Sequence, residues 1–366
     1  MEAKRTGKKT SPKTMYNSGY SLSYFNHLPH NEAKILSMHI ENLTKSQKKK
    51  VVDEPYIFRF SYLDQSEAIA KRTIEEKKDP SIRLGEGLIT KMNRCLESAL
   101  KSYAILDFSG MSIPVKQLIK HLSKLKSICI LDISYNVRLF KKEPRVKYFN
   151  RFLRRIFLAK CQKTLKKLSI AKSGMTEELA YNFCRCLPRM KTLQKLDISG
   201  NLIGEKAALT LAQYLENDEV LLGLDISANK IGDIGGKAIL EALQENPALV
   251  DLNLSLNDMT SSMSKSIYQL IKLNKKLKRI NFSFNKLENE GLKSILDSLS
   301  YNENLKCINL AGNEITSDGF KYLLKFQQSM YGFSLLKLNL YLNEPDKDQK
   351  KVLSSKFQDL ETKILF

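Results

Sequence analysis

The feature that most constrains the fold of this 366-residue chain is a nine-residue motif that returns every 28 residues. The motif has leucine or another apolar residue at its first, fourth and sixth positions and asparagine at its ninth. Less regular copies on both sides bring the predicted number of units to nine, over residues 102–343, and Ser173 replaces the asparagine in one of them. A constant period of this length is typical of a solenoid, in which each unit stacks on the next. The regular copies end at Asn201, Asn229, Asn257, Asn285 and Asn313.

Each unit has the composition of a strand, a turn and a helix. The alternating apolar residues predict a short strand, and the asparagine after it can satisfy backbone groups of the neighbouring unit. Apolar residues then recur at spacings of three and four, as in 204–215, which predicts an amphipathic helix. Because a helix is wider than the ~4.8 Å between strands, the sheet should line the inner curve and the helices the outer one. The predicted fold is an α/β horseshoe-shaped solenoid with a parallel inner sheet, outer helices and helical caps.

The 28-residue period and the helix behind each strand resemble the ribonuclease-inhibitor-like class of leucine-rich-repeat proteins over residues 102–343. The class includes the inhibitor itself, Ran GTPase-activating proteins, nucleotide-sensing receptors and several axonemal proteins. Its members share a scaffold and differ in partner, so the resemblance implies a fold and a binding role but no particular partner. Within the class, this chain is most similar to the axonemal and cytoskeletal members, such as those of the nexin–dynein regulatory complex.

Both ends of the chain depart from the repeat. Residues 1–60 are predicted to be a basic, extended N-terminal arm. Residues 61–101 are predicted to be an N-terminal helical cap, because 85–100 has the spacing of an amphipathic helix that would cover the first strand. Residues 344–366 are predicted to be a C-terminal helical cap. Its apolar residues at helical spacing are Val352, Leu353, Phe357, Leu360 and Ile364.

The net charge of +21 is concentrated in one part of the chain, since residues 101–200 contain 22 Lys and Arg but only six Asp and Glu. Within this range, the segment between the second and third units exceeds the period by nine residues and predicts a basic helix at 145–160, with Phe149 and Phe152 packed inward. This segment predicts a surface that binds an acidic partner. The alternative is a solvated helix face, although such faces normally carry acidic residues as well. The candidate residues are Lys147, Arg151, Arg154, Arg155, Lys166 and Lys167.

The eighth motif position predicts a second contact surface, on the concave side. It is small in several units, as at Gly200 and Gly312, but bulky at Leu256 and Phe284, which belong to adjacent units. Exposed apolar side chains clustered on an inner curve often bind a protein. The alternative is that they fold down and fill local gaps.

The fifth motif position carries aspartate or asparagine in most units and could suggest a metal site. Local hydrogen bonds explain such residues better, so we predict no metal and no cofactor. No nucleophile–histidine spacing or phosphate-binding glycine motif occurs, which predicts a protein that is not an enzyme. Six cysteines without C-x-x-C pairs favour a reducing, cytoplasmic compartment, and no apolar run is long enough to cross a membrane.

These features predict a non-catalytic scaffold or adaptor, a subunit of a larger cytoskeletal or axonemal assembly in the cytoplasm or cilium. Its concave face would hold one protein, and its basic helix would dock on tubulin or another acidic protein. Two alternatives stay open. The resemblance to Ran GTPase-activating proteins implies a GTPase regulator, although the acidic tail of those proteins is absent here. The basic helix would equally suit RNA phosphates in a ribonucleoprotein particle.

Overall fold

The structure is a computed structural model. It describes residues 56–59, 104–110, 115–122, 128–137, 139–140, 145–158, 163–326, 335–356 and 363–365. Within these ranges, no helix is long and apolar enough to span a membrane.

One parallel sheet runs through the described residues, with its eleven strands in chain order from end to end. The 28-residue period sets the register, so that Leu196 pairs with Leu224 and Leu224 with Leu252. Equivalent positions of successive units therefore form continuous rows along the sheet. The strands are β1 Tyr56–Arg59, β2 Ala104–Asp107, β3 Ile128–Asp132, β4 Lys167–Ser169, β5 Lys195–Asp197, β6 Gly223–Asp225, β7 Asp251–Asn253, β8 Arg279–Asn281, β9 Cys307–Asn309, β10 Lys337–Asn339 and β11 Lys363–Leu365.

A layer of helices packs against this sheet, and each helix lies between two strands in the sequence. Their apolar residues recur at three and four, and that face is buried, as with Ala208, Leu211 and Leu215. Short 3-10 helices at Leu187–Arg189 and Ser261–Met263 complete two of the connections. The helices are α1 Val115–Leu122, α2 Arg145–Leu158, α3 Glu177–Cys184, α4 Gly204–Glu216, α5 Gly232–Ala242, α6 Ser264–Leu273, α7 Glu288–Leu299, α8 Ser317–Phe326 and α9 Lys347–Lys356. The predicted open α/β solenoid is confirmed.

The long segment between the second and third units forms α2, which is 14 residues long. Phe149 and Phe152 are fully buried with Phe140 from the preceding turn, and the Phe140 and Phe149 ring centroids lie 4.7 Å apart in an edge-on arrangement. The prediction that Phe149 and Phe152 pack inward is confirmed. This aromatic cluster holds α2 against the sheet, so its polar side chains point away from the core.

The motif asparagines form a hydrogen-bonded ladder between units, as the sequence predicts. The Asn229 side chain donates to the carbonyls of Ile198 (3.1 Å) and Ile226 (2.9 Å), and its Oδ1 accepts from the Asn201 backbone N–H at 3.1 Å. In the third unit, the Ser173 hydroxyl donates to the Ile133 carbonyl at 2.9 Å. Serine therefore keeps the donor role of the asparagine side chain but not its acceptor role. Each asparagine thereby joins two units at the turn after the strand.

A second ladder lies at the opposite end of the strands, where each helix returns to the sheet. Asn274 donates to the Leu243 carbonyl at 2.6 Å, and its Oδ1 accepts from the backbone N–H of Lys276 and of Leu277, both at 2.8 Å. Asn246 and Asn302 repeat this arrangement 28 residues before and after. Sequence analysis missed this ladder, although the signal was present as an asparagine three residues before the first motif leucine.

The sheet extends beyond the nine predicted units at both ends. Strand β1 lies in the range predicted to be an extended arm and pairs with β2. Ile364 was predicted to lie on a helix, which is wrong, since α9 ends at Lys356 and Ile364 pairs with Leu338 in β11. Pairing satisfies backbone groups that would otherwise be open on the edge of β10. Residues 1–55 and the predicted cap helix at 85–100 lie outside the described residues, and the domain boundaries stay predictions.

Candidate functional site

The eighth motif position lies just beyond each strand, at the carboxyl edge of the sheet, and always has a left-handed backbone. The φ angles run from +49° to +69°. The cause is a ladder of hydrogen bonds that continues past the strands, with the Leu256 N–H donating to the Ser283 carbonyl at 3.0 Å and the Phe284 N–H to the Ala311 carbonyl at 2.7 Å. The residues at this position are Gly110, Tyr135, Lys172, Gly200, Ala228, Leu256, Phe284, Gly312 and Leu342.

Glycine fits this backbone without strain, whereas a residue with a Cβ costs roughly 1–2 kcal/mol there. Bulky apolar side chains nevertheless occupy the position in several units and are about half exposed. The Phe284 ring lies over Gly312, where an added Cβ would be 2.9 Å from the ring. Together with the neighbouring Tyr341, these residues form what we call the apolar row. Its members, with their exposed fractions, are Tyr135 (53%), Leu256 (52%), Phe284 (47%), Tyr341 (55%) and Leu342 (60%).

The fifth motif position forms a polar row on the concave side of the sheet, and its side chains make local hydrogen bonds. The Asp197 Oδ1 accepts from the Ser199 backbone N–H at 3.0 Å and from its hydroxyl at 2.7 Å. Asp225 and Ser227 repeat this geometry, and Asn253 donates to the Asp225 Oδ2 at 2.9 Å. These bonds give the row a structural role. In the described part of the chain, no group of three or more His, Cys, Asp and Glu could hold a metal ion.

The charged forms of two adjacent carboxylates in this row are destabilised, chiefly by burial. Burial, followed by the neighbouring Asp225 carboxylate, raises the pKa of Asp197 to about 7, even though hydrogen bonds from Ser199 oppose the shift. Burial also raises the pKa of Asp225. The later units have asparagine at this position, which provides the same local hydrogen bond without charge, as at Asn253 and Asn281.

We expect Asp197→Asn with Asp225→Asn to stabilise the protein above neutral pH. Because the folded-state pKa of Asp197 lies above its ordinary value near 4, the folded state binds the proton more tightly than the unfolded chain does. The free energy of unfolding should therefore fall as pH rises from about 4 to about 7, and the double variant should remove that slope and gain about 1–2 kcal/mol at pH 8.

Urea unfolding at pH 5, 6.5 and 8 measures this effect. Asp318→Asn, at an exposed position on α8, is the control and should leave the slope unchanged. A wild-type protein equally stable at pH 5 and pH 8 would show that the two carboxylates are not destabilised.

The structure divides the predicted basic residues between two layers. Lys147, Arg151 and Arg154 are exposed on one face of α2, which contains no acidic residue. Arg155 also belongs to α2, but its side chain lies outside the described residues. Lys167 lies on strand β4 in the sheet layer, directly after Lys166, so these two do not share the surface of α2.

The third motif position forms another polar row beside the acidic one, on the concave side. Arg279 on β8 pairs with the Asp251 carboxylate on β7. Burial, followed by the positive charge of Lys167, lowers the pKa of Lys195, while Asp251 opposes that shift. The concave side therefore carries both signs of charge, whereas the exposed face of α2 carries one.

A groove of about 300 Å³ lies between α2 and the segment formed by α3 and the following 3-10 helix. It brings Arg154 together with two arginines that sequence analysis did not single out, Arg185 and Arg189. The Arg185 guanidinium lies over the Tyr181 ring, 5.7 Å from its centroid. The described residues that line it are Asn150, Leu153, Arg154, Asn182, Arg185, Cys186 and Arg189.

The two cysteines beside this groove differ in environment. Cys184 is buried in the core, and burial raises the pKa of its thiol to about 12. Cys186 is half-buried in the groove wall, where burial raises its pKa and the charges of Arg189 and Arg185 oppose the shift. Cys184 therefore packs as a small apolar residue of the core, whereas Cys186 lines the groove.

The strand–turn–helix units and both asparagine ladders define a leucine-rich-repeat solenoid fold. A family model described as "Leucine Rich repeat" matches residues 220–240, 273–296 and 301–324. Repeats of this kind generally form binding surfaces and not active sites. A search of functionally curated proteins found no significant match.

Several solved structures resemble this chain at low sequence identity. Rad7, in its complex with Elc1 from yeast, is 13% identical, with 92% of this chain and 98% of that chain covered and a TM-score of 0.34. A protein from Bacteroides fragilis is 16% identical, with 87% and 82% covered and a TM-score of 0.34. TLR13, solved with a single-stranded RNA, is 16% identical, with 74% and 36% covered and a TM-score of 0.39.

Proposed function

We propose that this chain is a non-catalytic adaptor that binds one protein through the apolar row and an acidic partner through the outer face of α2. The observation that carries this proposal is the apolar row itself. Leu256 and Phe284 keep bulky side chains where the backbone favours glycine, and half of each side chain is exposed to water. Both features reduce the stability of the free protein, and a bound partner would offset them by covering the row.

The positive charge of α2 supports the proposal that its outer face binds an acidic partner. Lys147, Arg151 and Arg154 project from a helix that is anchored by buried Phe149 and Phe152. A fixed array of like charges attracts an acidic surface and steers its approach. Within this proposal, the acidic partner is the surface of tubulin, and the adaptor belongs to a cytoskeletal or axonemal assembly in the cytoplasm or cilium.

Microtubule co-sedimentation tests the identity of the acidic partner. The protein is mixed with intact microtubules, with microtubules whose acidic tails have been cleaved, and with structured RNA, all at one ionic strength. Tail-dependent binding to microtubules supports the proposal. Binding to RNA alone would replace tubulin with a ribonucleoprotein partner.

We expect Leu256→Asn with Phe284→Asn to reduce capture of the protein that binds the apolar row about tenfold or more. This loss corresponds to about 1.4 kcal/mol or more of binding free energy. Asparagine tolerates the left-handed backbone better than leucine or phenylalanine does, so the melting temperature should stay the same or rise. Quantitative mass spectrometry of proteins cross-linked to the wild type and to the variant measures the loss.

Leu209→Gln with Ile234→Gln is the matched control, because it removes two exposed apolar side chains from the helix layer. It should leave capture unchanged. If the two double variants reduce capture equally, the apolar row is not a specific contact surface.

A further inference from the structure

We propose that the groove between α2 and α3 binds a phosphorylated serine or threonine of a partner protein. This inference rests on the proposed docking role of the outer helices and names the chemistry that one part of that surface recognises. The described residues that line the groove provide three guanidinium groups, from Arg154, Arg185 and Arg189, and no carboxylate. Within the described residues, none of the three forms an ion pair.

Three guanidiniums around one groove suit a phosphate dianion better than a carboxylate. A phosphoryl group presents three acceptor oxygens and nearly two negative charges at neutral pH, and each guanidinium can donate two parallel hydrogen bonds to it. The Tyr181 ring under the Arg185 guanidinium restricts that side chain before any ligand arrives. An ordered arginine loses less conformational freedom on binding.

The remaining lining suits a peptide. The carboxamides of Asn150 and Asn182 flank the arginines, and each can donate to a peptide carbonyl and accept from a peptide N–H. Leu153 adds a small apolar contact. None of the described lining residues has an aromatic ring on which a base could stack, which disfavours single-stranded RNA.

The negative charge that α3 places near the groove is smaller than the positive charge of its three arginines. The acidic residues of α3, Glu177 and Glu178, are in its first turn, about 10 Å along the helix axis from Arg185. The carboxyl end of α3 faces the groove region and adds about half a negative charge, which three guanidiniums exceed.

A peptide library with a central phosphoserine and randomised neighbours tests the proposal. The library and its unphosphorylated counterpart are passed over the immobilised full chain. We expect the phosphorylated library to be retained about tenfold more strongly, as a gain of charge-assisted hydrogen bonds implies. Arg185→Gln with Arg189→Gln should abolish the difference. Both side chains are exposed, so the fold should persist, which circular dichroism checks.

Lys265→Gln with Lys293→Gln is the matched control, because it removes two exposed positive charges from α6 and α7, away from the groove and from α2. It should keep the preference for phosphate. Equal retention of the two libraries overturns the proposal, as does a loss of preference in the control variant, which would indicate only diffuse attraction. Complete competition by a ten-nucleotide oligouridylate at equal charge would indicate a nucleic-acid site instead.

The experiments can contradict the microtubule proposal and the phosphopeptide proposal independently of each other. Microtubule binding without a preference for phosphopeptides removes the groove assignment and leaves the acidic docking surface in place. A preference for phosphopeptides without microtubule binding keeps the groove and removes tubulin as the partner.

Discussion

Asn257→Ala is expected to destabilise the protein by about 3 kcal/mol, because the asparagine is fully buried and bonded on every side. Its amide donates to the carbonyls of Ile226 at 3.0 Å and Leu254 at 3.1 Å, and its Oδ1 accepts from the Asn229 backbone N–H at 2.9 Å. Each of those two carbonyls also accepts a hydrogen bond from the side chain of a neighbouring motif asparagine. The group left without a partner is therefore the buried N–H of Asn229.

Urea denaturation of the full chain measures this change. Asn257→Ser should be destabilised nearly as much as Asn257→Ala, because a hydroxyl at this position keeps only the donor role, as at Ser173, and leaves the Asn229 N–H without an acceptor. Asn217→Ala, at an exposed position after α4, should change stability by less than about 0.5 kcal/mol. If Asn257→Ala is no more destabilised than Asn217→Ala, the ladder does not hold the units together.

Reversing charge on α2 is the second large effect we expect. Lys147→Glu with Arg151→Glu should weaken microtubule binding about tenfold or more at low salt, because many exposed charges act together in steering and holding the partner. The gap between variant and wild type should shrink as salt is added, since exposed charges are screened over about 10 Å at 0.1 M. Stability should change by less than about 1 kcal/mol, because both side chains are exposed.

Lys265→Glu with Lys293→Glu is the control, because it makes the same change in net charge on α6 and α7. Co-sedimentation over a range of salt concentrations compares the two variants. If both weaken binding equally, the interaction depends on the net charge of the chain. If neither weakens it, the basic face of α2 is a solvated helix face.

The sequence by itself determined the repeating architecture of this protein. The motif leucines and the motif asparagine recur at fixed offsets, because each unit packs on a neighbour one period away. Phe149 and Phe152 lie outside that period, and their inward direction followed from the local helical spacing of apolar residues. A pattern of constant period therefore indicates the strand register, the ladder and the buried face of the helices in one step. The basic composition of α2 was visible because the residue types alone give the charge.

Only the tertiary structure decided how side chains from different units meet. Leu256 and Phe284 have a left-handed backbone, and their N–H groups donate to carbonyls of the following unit. The sequence of a single unit does not predict these contacts with its neighbour. Lys167 and Arg154 are both basic and close in sequence, but β4 and α2 place them in different layers.

The arginine groove is the clearest case. Arg154 meets Arg185 and Arg189 because the long α2 packs beside α3, and the aromatic cluster of Phe140, Phe149 and Phe152 fixes α2 against the core. Packing across the core determines the direction of side chains and the position of one helix against another. They therefore follow from the shape of the folded protein, and the spacing of residues along the chain does not encode them.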